Sequence, residues 1–205
     1  MTHDRFLQFA FGESDVSRHK KPGVRRDTAG KSRGESTEQI RAVALAQRMR
    51  DVGAEHAANP LAGHALGRLR LRHQSYGPQD PCSISPEQYE AGERYAVIAV
   101  RHAAIMGYAT GSPRAAAFGL LAAGASCGEE PDEAVILAVR REFADCYRAL
   151  MDGGRAIGQG AKAALVTYDT CLDRRSFESL TRADIGNLKV GLNALARLFR
   201  GRGVV

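Results

Sequence analysis

Histidine and cysteine side chains are the first candidates for chemistry, because they supply nucleophiles, bases and metal ligands. His56, His64 and His73 fall within 18 residues, but no carboxylate or thiolate accompanies them at the spacing that would place it on the same helix face. Cys127 has no histidine after it anywhere in the chain, so it lacks a nearby base. The four cysteines include no C-x-x-C pair. We therefore expect no catalytic residue, no metal and no cofactor.

A glycine-rich stretch, 152–162, has the composition of a phosphate-binding loop but not its order. Lys162 does not follow a glycine, no serine or threonine follows it, and no predicted strand precedes the stretch. We predict a flexible connection between two helices here, with Gly153 and Gly154 ending the first of them.

Basic side chains near the N-terminus indicate a binding partner. The chain has a net charge of +6, and the window from Ser17 to Arg33 holds seven cations against the single acid Asp27. Such a charged, glycine- and proline-containing segment buries too little apolar surface to fold alone, and its charge suits DNA phosphates. We predict a flexible basic arm over residues 1–35. Its predicted DNA contacts are Arg18, Lys20, Lys21, Arg25, Arg26, Lys31 and Arg33.

Composition predicts a helical domain behind this arm. The chain is 44% hydrophobic but only 6% aromatic and has no tryptophan, which favours helices rich in alanine and leucine. No run alternates with the two-residue period of a strand. We therefore predict a small all-α domain over residues 36–205. The absence of a long apolar run or a signal-peptide pattern, and the scattered cysteines, predict a cytoplasmic protein that does not contact a membrane.

Capping patterns place the individual helices. The clearest is Ser85-Pro86-Glu87-Gln88, where serine is the cap, proline takes the first position and glutamine takes the third. The predicted helices run from Ser36 or Thr37 to about Val52, from Asn59-Pro60 onward, from Pro86 to about Met106, from Pro131 to Gly153, over 161–172, and to about Arg200. On the fourth, Val135, Val139, Phe143, Cys146 and Leu150 form a predicted apolar stripe.

The closing segment fits two arrangements. In the first, a short helix from Ser176, a turn at 183–186 and a helix over 187–199 form a helix-turn-helix within 176–200. In the second, one helix runs on from Thr181, begun by a Thr181–Asp184 capping box. Exposed amides and cations on the last helix would suit base edges and phosphates. The predicted DNA contacts here are Arg182, Asn187, Lys189, Asn193 and Arg197.

Four segments together resemble a known but uncharacterised domain. They are Asn59-Pro60-Leu61, Tyr89 to Arg94, Asp173 to Thr181, and Gly191 to Phe199. The similar domain occurs in helix-turn-helix regulators and phage-like genes of α-proteobacteria, including activators of gene transfer agents. The resemblance spans roughly residues 59–200. It implies a role in DNA binding or transcription and carries no catalytic residue.

These observations predict a DNA-binding transcriptional regulator of a phage or phage-derived element, with double-stranded DNA as its partner. Two alternatives stay open. One is a phage packaging or assembly protein, such as a small terminase-like homo-oligomer. The other is a helical adaptor that binds RNA polymerase. An enzyme is not expected.

Overall fold

All regular structure in the described part of the chain is helical. The structure is a computed structural model that describes residues 37–108 and 132–201. No strand occurs in these ranges, so the predicted all-α class is confirmed. The chain divides into two units, Met1–Ile40 and Arg41–Val205. The helices are α1 Thr37–Val52, α2 Ala65–Tyr76, α3 Pro86–Ile105, α4 Glu133–Arg155, α5 Gly160–Cys171 and α6 Arg182–Gly201, with 3₁₀ turns at Pro60–Gly63 and Phe177–Ser179.

Local caps set the helix starts largely as the sequence predicts. Ser85 and Gln88 form the predicted box, because the Gln88 backbone N–H donates to the Ser85 hydroxyl and the Ser85 N–H donates to the Gln88 side-chain oxygen. Asn59 begins only a 3₁₀ turn, by accepting from the Leu61 N–H at 2.9 Å. Helix α2 starts separately at His64, whose Nδ1 accepts from the Gly67 N–H at 3.0 Å.

The core lies around α6, which packs against α3, α4 and α5. Leu188, Leu192 and Leu195 on α6 have no solvent exposure, and burying each such side chain contributes about 1.5–3 kcal/mol. The predicted stripe on α4 is confirmed at Val139, Cys146 and Leu150, which are buried, and Phe143 is partly buried. It is wrong at Val135, which is 44% exposed because the first turns of α4 extend beyond the described core.

Glycines bring α4, α5 and α6 into close contact. A Cβ added at Gly154 would lie 2.7 Å from Gly160 Cα, and one at Gly153 would lie 2.8 Å from Ala194 Cβ. A Cβ at Gly191 would overlap the Thr167 hydroxyl. We call Gly153, Gly154, Gly160 and Gly191 the glycine junction. The predicted end of the helix at Gly153 and Gly154 is wrong, because both lie within α4 and face other helices.

The closing segment adopts the second predicted arrangement. Residues 183–186 form the first turn of α6, and only the 3₁₀ turn Phe177–Ser179 precedes them. The Thr181 N–H donates to Asp184 Oδ2 at 3.2 Å, and the Asp184 N–H donates to the Thr181 hydroxyl at 3.1 Å. The predicted turn at 183–186 is therefore wrong, since this capping box begins a helix at the same place.

Candidate nucleic-acid interface

The solvent side of α6 carries all three cations that the sequence predicts as DNA contacts in the closing segment. Its residues follow one another at intervals of three or four, so they share one side of the helix. Lys189 is half-buried and the others are exposed. We call this set the basic face of α6. It consists of Arg182, Gly186, Lys189, Asn193, Arg197 and Arg200.

The basic face has four cations and no acidic residue. Asp184 is the one acid of α6, and it is buried on the other side of the helix. At a rise of 1.5 Å per residue, Arg182 and Arg200 lie about 27 Å apart along the axis. The face is thus a row of positive charge on a helix that three neighbours hold in place.

Asp184 holds the first turn of α6 in place through its contacts with Thr181, Arg175 and Lys162. The Thr181 hydroxyl bond lowers the pKa of Asp184, burial opposes that shift, and the charges of Arg175 and Lys162 add to it. The carboxylate lies 3.5 Å from the Arg175 guanidinium and 3.9 Å from Lys162 Nζ. It therefore joins α5, the connection between α5 and α6, and the first turn of α6.

Lys189 is the most restrained cation of the basic face. Its Nζ donates to the Pro81 carbonyl at 2.9 Å. Burial would raise the pKa of nearby Asp80, but hydrogen bonds from Arg72 and the Cys82 N–H, with the charges of Arg72 and Lys189, lower it overall. Lys189 thus interacts with two residues of the loop before α3, through a hydrogen bond to Pro81 and through its charge near Asp80.

The three arginines of the basic face are more available. Arg182 and Arg197 form no ion pair or hydrogen bond with any residue in the described ranges. Arg200 lies 3.1 Å from Glu87, and both side chains are well exposed. Such exposed pairs contribute about 0–1 kcal/mol, so a phosphate can replace Glu87 at little cost.

Asn193 is held in one orientation by a partner on α3. Gln88 Nε2 donates to Asn193 Oδ1 at 2.9 Å. The orientation of Gln88 is set in turn, because its own oxygen accepts from the Ser85 N–H at 2.8 Å. This chain of donors and acceptors leaves the Asn193 NH₂ group as the part available to a ligand.

Asn187 does not lie on the basic face. It is only 6% exposed and lies on the inner side of α6 with Asp184 and Gly191, three and four residues away. The predicted exposed position of Asn187 is wrong, because a continuous helix turns this residue inward.

The predicted DNA contacts of the N-terminal arm cannot be placed, and two residues at α6 were not predicted. The seven basic residues from Arg18 to Arg33 lie outside the described residues, as does Cys127. Sequence reasoning missed Arg200, although it lies 18 residues, or five helical turns, after Arg182. It also missed Gln88, which no local signal links to Asn193, 105 residues away.

Other kinds of site find no support within residues 37–108 and 132–201. No group of three or more histidine, cysteine, aspartate or glutamate side chains there could hold a metal ion. None of the helices described is both long and apolar enough to cross a membrane. Comparison of the chain with known protein families, with curated proteins and with solved structures finds no match.

Proposed function

We propose that this chain is a DNA-binding transcriptional regulator of a phage or phage-derived element. The basic face of α6 carries the proposal, because it presents four cations without an acid over about 27 Å of one helix. Cations placed in this way neutralise phosphates and release their counterions. The resemblance of 59–61, 89–94, 173–181 and 191–199 to a domain of helix-turn-helix regulators and phage-like genes supports the role in transcription.

The position of α6 favours phosphate contacts over base reading. A recognition helix inserts its first residues into the major groove, whereas the first turn of α6 is tied to Arg175 and Lys162 through Asp184. Its other sides are covered by α3, α4 and α5. We therefore assign phosphate contacts to Arg182, Lys189, Arg197 and Arg200, and a single contact through the NH₂ group to Asn193.

The salt dependence of DNA affinity tests the proposal. Each phosphate contact on duplex DNA contributes about 0.9 to the slope of log affinity against log salt. The double variant Arg182→Ser/Arg197→Ser should lower this slope by about 1.8. Fluorescence anisotropy with a labelled duplex at several salt concentrations measures it. Deletion of residues 1–34 should also lower the slope, and the size of that decrease measures the contribution of the predicted arm.

A matched control separates the basic face from net charge. Arg101 and Arg141 are exposed arginines of α3 and α4 without an ion pair to the described residues. Arg101→Ser/Arg141→Ser removes the same charge and should leave the slope nearly unchanged. Equal slopes for the two double variants would refute the assignment to α6.

A protein-binding role is the second candidate. Helix α1 exposes Ile40, Val43, Leu45 and Met49, and buries only Val52. These side chains lie in two pairs on opposite sides of the helix, Ile40 with Val43 and Leu45 with Met49, and exposed apolar groups of this kind favour contact with another protein. Light scattering distinguishes the two forms of this role. A ring-sized oligomer would favour the packaging protein, and a monomer that binds RNA polymerase but not DNA would favour the adaptor.

A further inference from the structure

An aromatic pocket of about 290 Å³ opens between α3, α4 and α5. The chain has six tyrosines and no tryptophan, yet three of its tyrosines and one phenylalanine line this single pocket. None of the lining residues is charged, and none belongs to α6. The lining includes Tyr95, Phe143, Tyr147, Tyr168, Ala164 and Leu165.

Tyr95 forms the inner wall of the pocket and is only 1% exposed. Its ring stacks on Phe143, with centroids 6.3 Å apart, and Phe143 stacks on His102 at 4.1 Å. Burial raises the pKa of Tyr95 well above its usual value, and the neighbouring Cys171 and Cys146 add to the shift. The phenol therefore stays protonated and available as a hydrogen-bond donor.

The Tyr95 hydroxyl has no hydrogen-bond partner among the residues that the structure describes. It is not one of the fully enclosed side-chain atoms without a partner, which in the described ranges are Arg48 Nε, Arg70 Nη1 and Thr170 Oγ1, so it keeps contact with solvent at the pocket. A ligand that displaces this water must offer an acceptor in its place, because the phenol would otherwise be buried without a partner.

We propose that this pocket binds a small, uncharged aromatic molecule of one or two rings that carries one hydrogen-bond acceptor. Its volume is about twice that of an engineered cavity of roughly 150 Å³ that binds benzene. The ring-lined wall favours an aromatic body, and Tyr95 would donate to the acceptor. A charged molecule would lose its hydration without gaining a partner of opposite charge.

The mouth of the pocket is apolar as well. Tyr147 is 50% exposed and Leu165 is 60% exposed, and both line the pocket. An apolar ligand would cover these two side chains and remove them from water, which favours its binding.

The test uses acetophenone, a neutral aromatic acceptor, and toluene, which lacks the acceptor. Side-chain methyl signals of Ala164 and Leu165 are followed by NMR during titration of the full chain. We expect saturable shifts with acetophenone. Because a net hydrogen bond is lost, Tyr95→Phe should weaken acetophenone about fivefold and leave toluene unchanged. The same variant should not lower the melting temperature, since the hydroxyl it removes is unpaired.

A blocking variant shows that the shifts come from this pocket. Ala161 is exposed and lines the pocket, so Ala161→Leu should abolish binding of both probes. The control, Ala138→Leu, makes the same change at an exposed position of α4 outside the lining and should bind like the parent.

Four results would overturn the proposal. They are the absence of saturable shifts with acetophenone, stronger binding of benzyltrimethylammonium than of acetophenone, an equal response of both neutral probes to Tyr95→Phe, and ligand-free concentration-dependent shifts that Ala161→Leu removes. The second would indicate a cation site, and the last would indicate that a second copy of the chain fills the pocket.

Discussion

Helices α1 and α6 differ in what makes them helical. Helix α1 has 16 residues and buries only Val52, while α6 has 20 residues and buries eight. Most of α1 consists of strong helix formers such as alanine, arginine and glutamine, whereas α6 contains the weak formers Gly186, Gly191 and two asparagines. Helix α1 therefore depends on local propensity and α6 on packing, so helical sequence alone does not identify the core.

The last turn of α1 supplies hydrogen bonds that join this helix to α2. Asp51 pairs with Arg68 at 2.9 Å, and its carbonyl accepts from Arg72 at 2.8 Å. The Ser75 hydroxyl donates to the Val52 carbonyl at 2.6 Å. Earlier turns of α1 have no buried residue, which is typical of a segment that opens locally at low free energy.

The largest expected difference comes from placing a carboxylate in each helix. Leu192→Asp should destabilise the protein by several kcal/mol, because it buries an unpaired charge where no solvent reaches. Val43→Asp changes a side chain that is 64% exposed and should alter stability by no more than about 0.5 kcal/mol. Urea unfolding followed by circular dichroism measures both. A native melting temperature for Leu192→Asp would show that this side of α6 is exposed to solvent and not buried.

A smaller effect distinguishes two glycines within α6. Gly191→Ala should cost about 1–3 kcal/mol, because the new methyl group overlaps Thr167 and approaches Leu150 to 3.0 Å. Gly186→Ala should stabilise by about 0.4–1 kcal/mol, since nothing lies within 4 Å of its Cβ position and alanine favours a helix. Thermal and urea unfolding of the matched pair should therefore give opposite signs. Equal effects would mean that the glycine junction is not closely packed.

The smallest effect concerns the cap of α6. Thr181→Ala should cost about 1 kcal/mol at neutral pH, through loss of the capping bonds to Asp184. The folded-state pKa of Asp184 is lowered, so its contribution is complete above the unfolded carboxyl pKa of about 3.9 and is lost as pH falls through the folded value. Unfolding at pH 7 and pH 3 should show a smaller penalty at pH 3. Thr181→Ser keeps the hydroxyl and should behave like the parent at both.

The helix starts were readable from the sequence because their signals are local. Ser85 with Gln88, and Thr181 with Asp184, each lie three residues apart and bond to one another. The side of α6 on which Asn187 lies could not be read, since it depends on whether the chain turns or continues at 183–186. Both arrangements fitted the same apolar spacing, and the capping box decided between them.

Contacts between distant residues limited prediction of the site. Gly153 reads as a helix breaker until Ala194 is known to lie against it, and Asn193 gains its orientation from Gln88 in another helix. Four of the five closing-segment residues nevertheless lie on the basic face. DNA binding by that face and by residues 18–33 stays a prediction.

The glycine junction also limits what the aromatic pocket can admit. One side of α5 supplies Ala164, Leu165 and Tyr168 to the pocket, and the adjoining edge of the same helix places Gly160 and Ala163 against Gly154 of α4. A ligand wider than the pocket could enter only if α5 moved. Movement of α5 toward α4 is blocked, because the backbones of the two helices are already in contact at Gly154 and Gly160. The contact between α4 and α5 at the glycine junction therefore limits the width of the ligand that the pocket can bind, although the ligand does not touch these glycines.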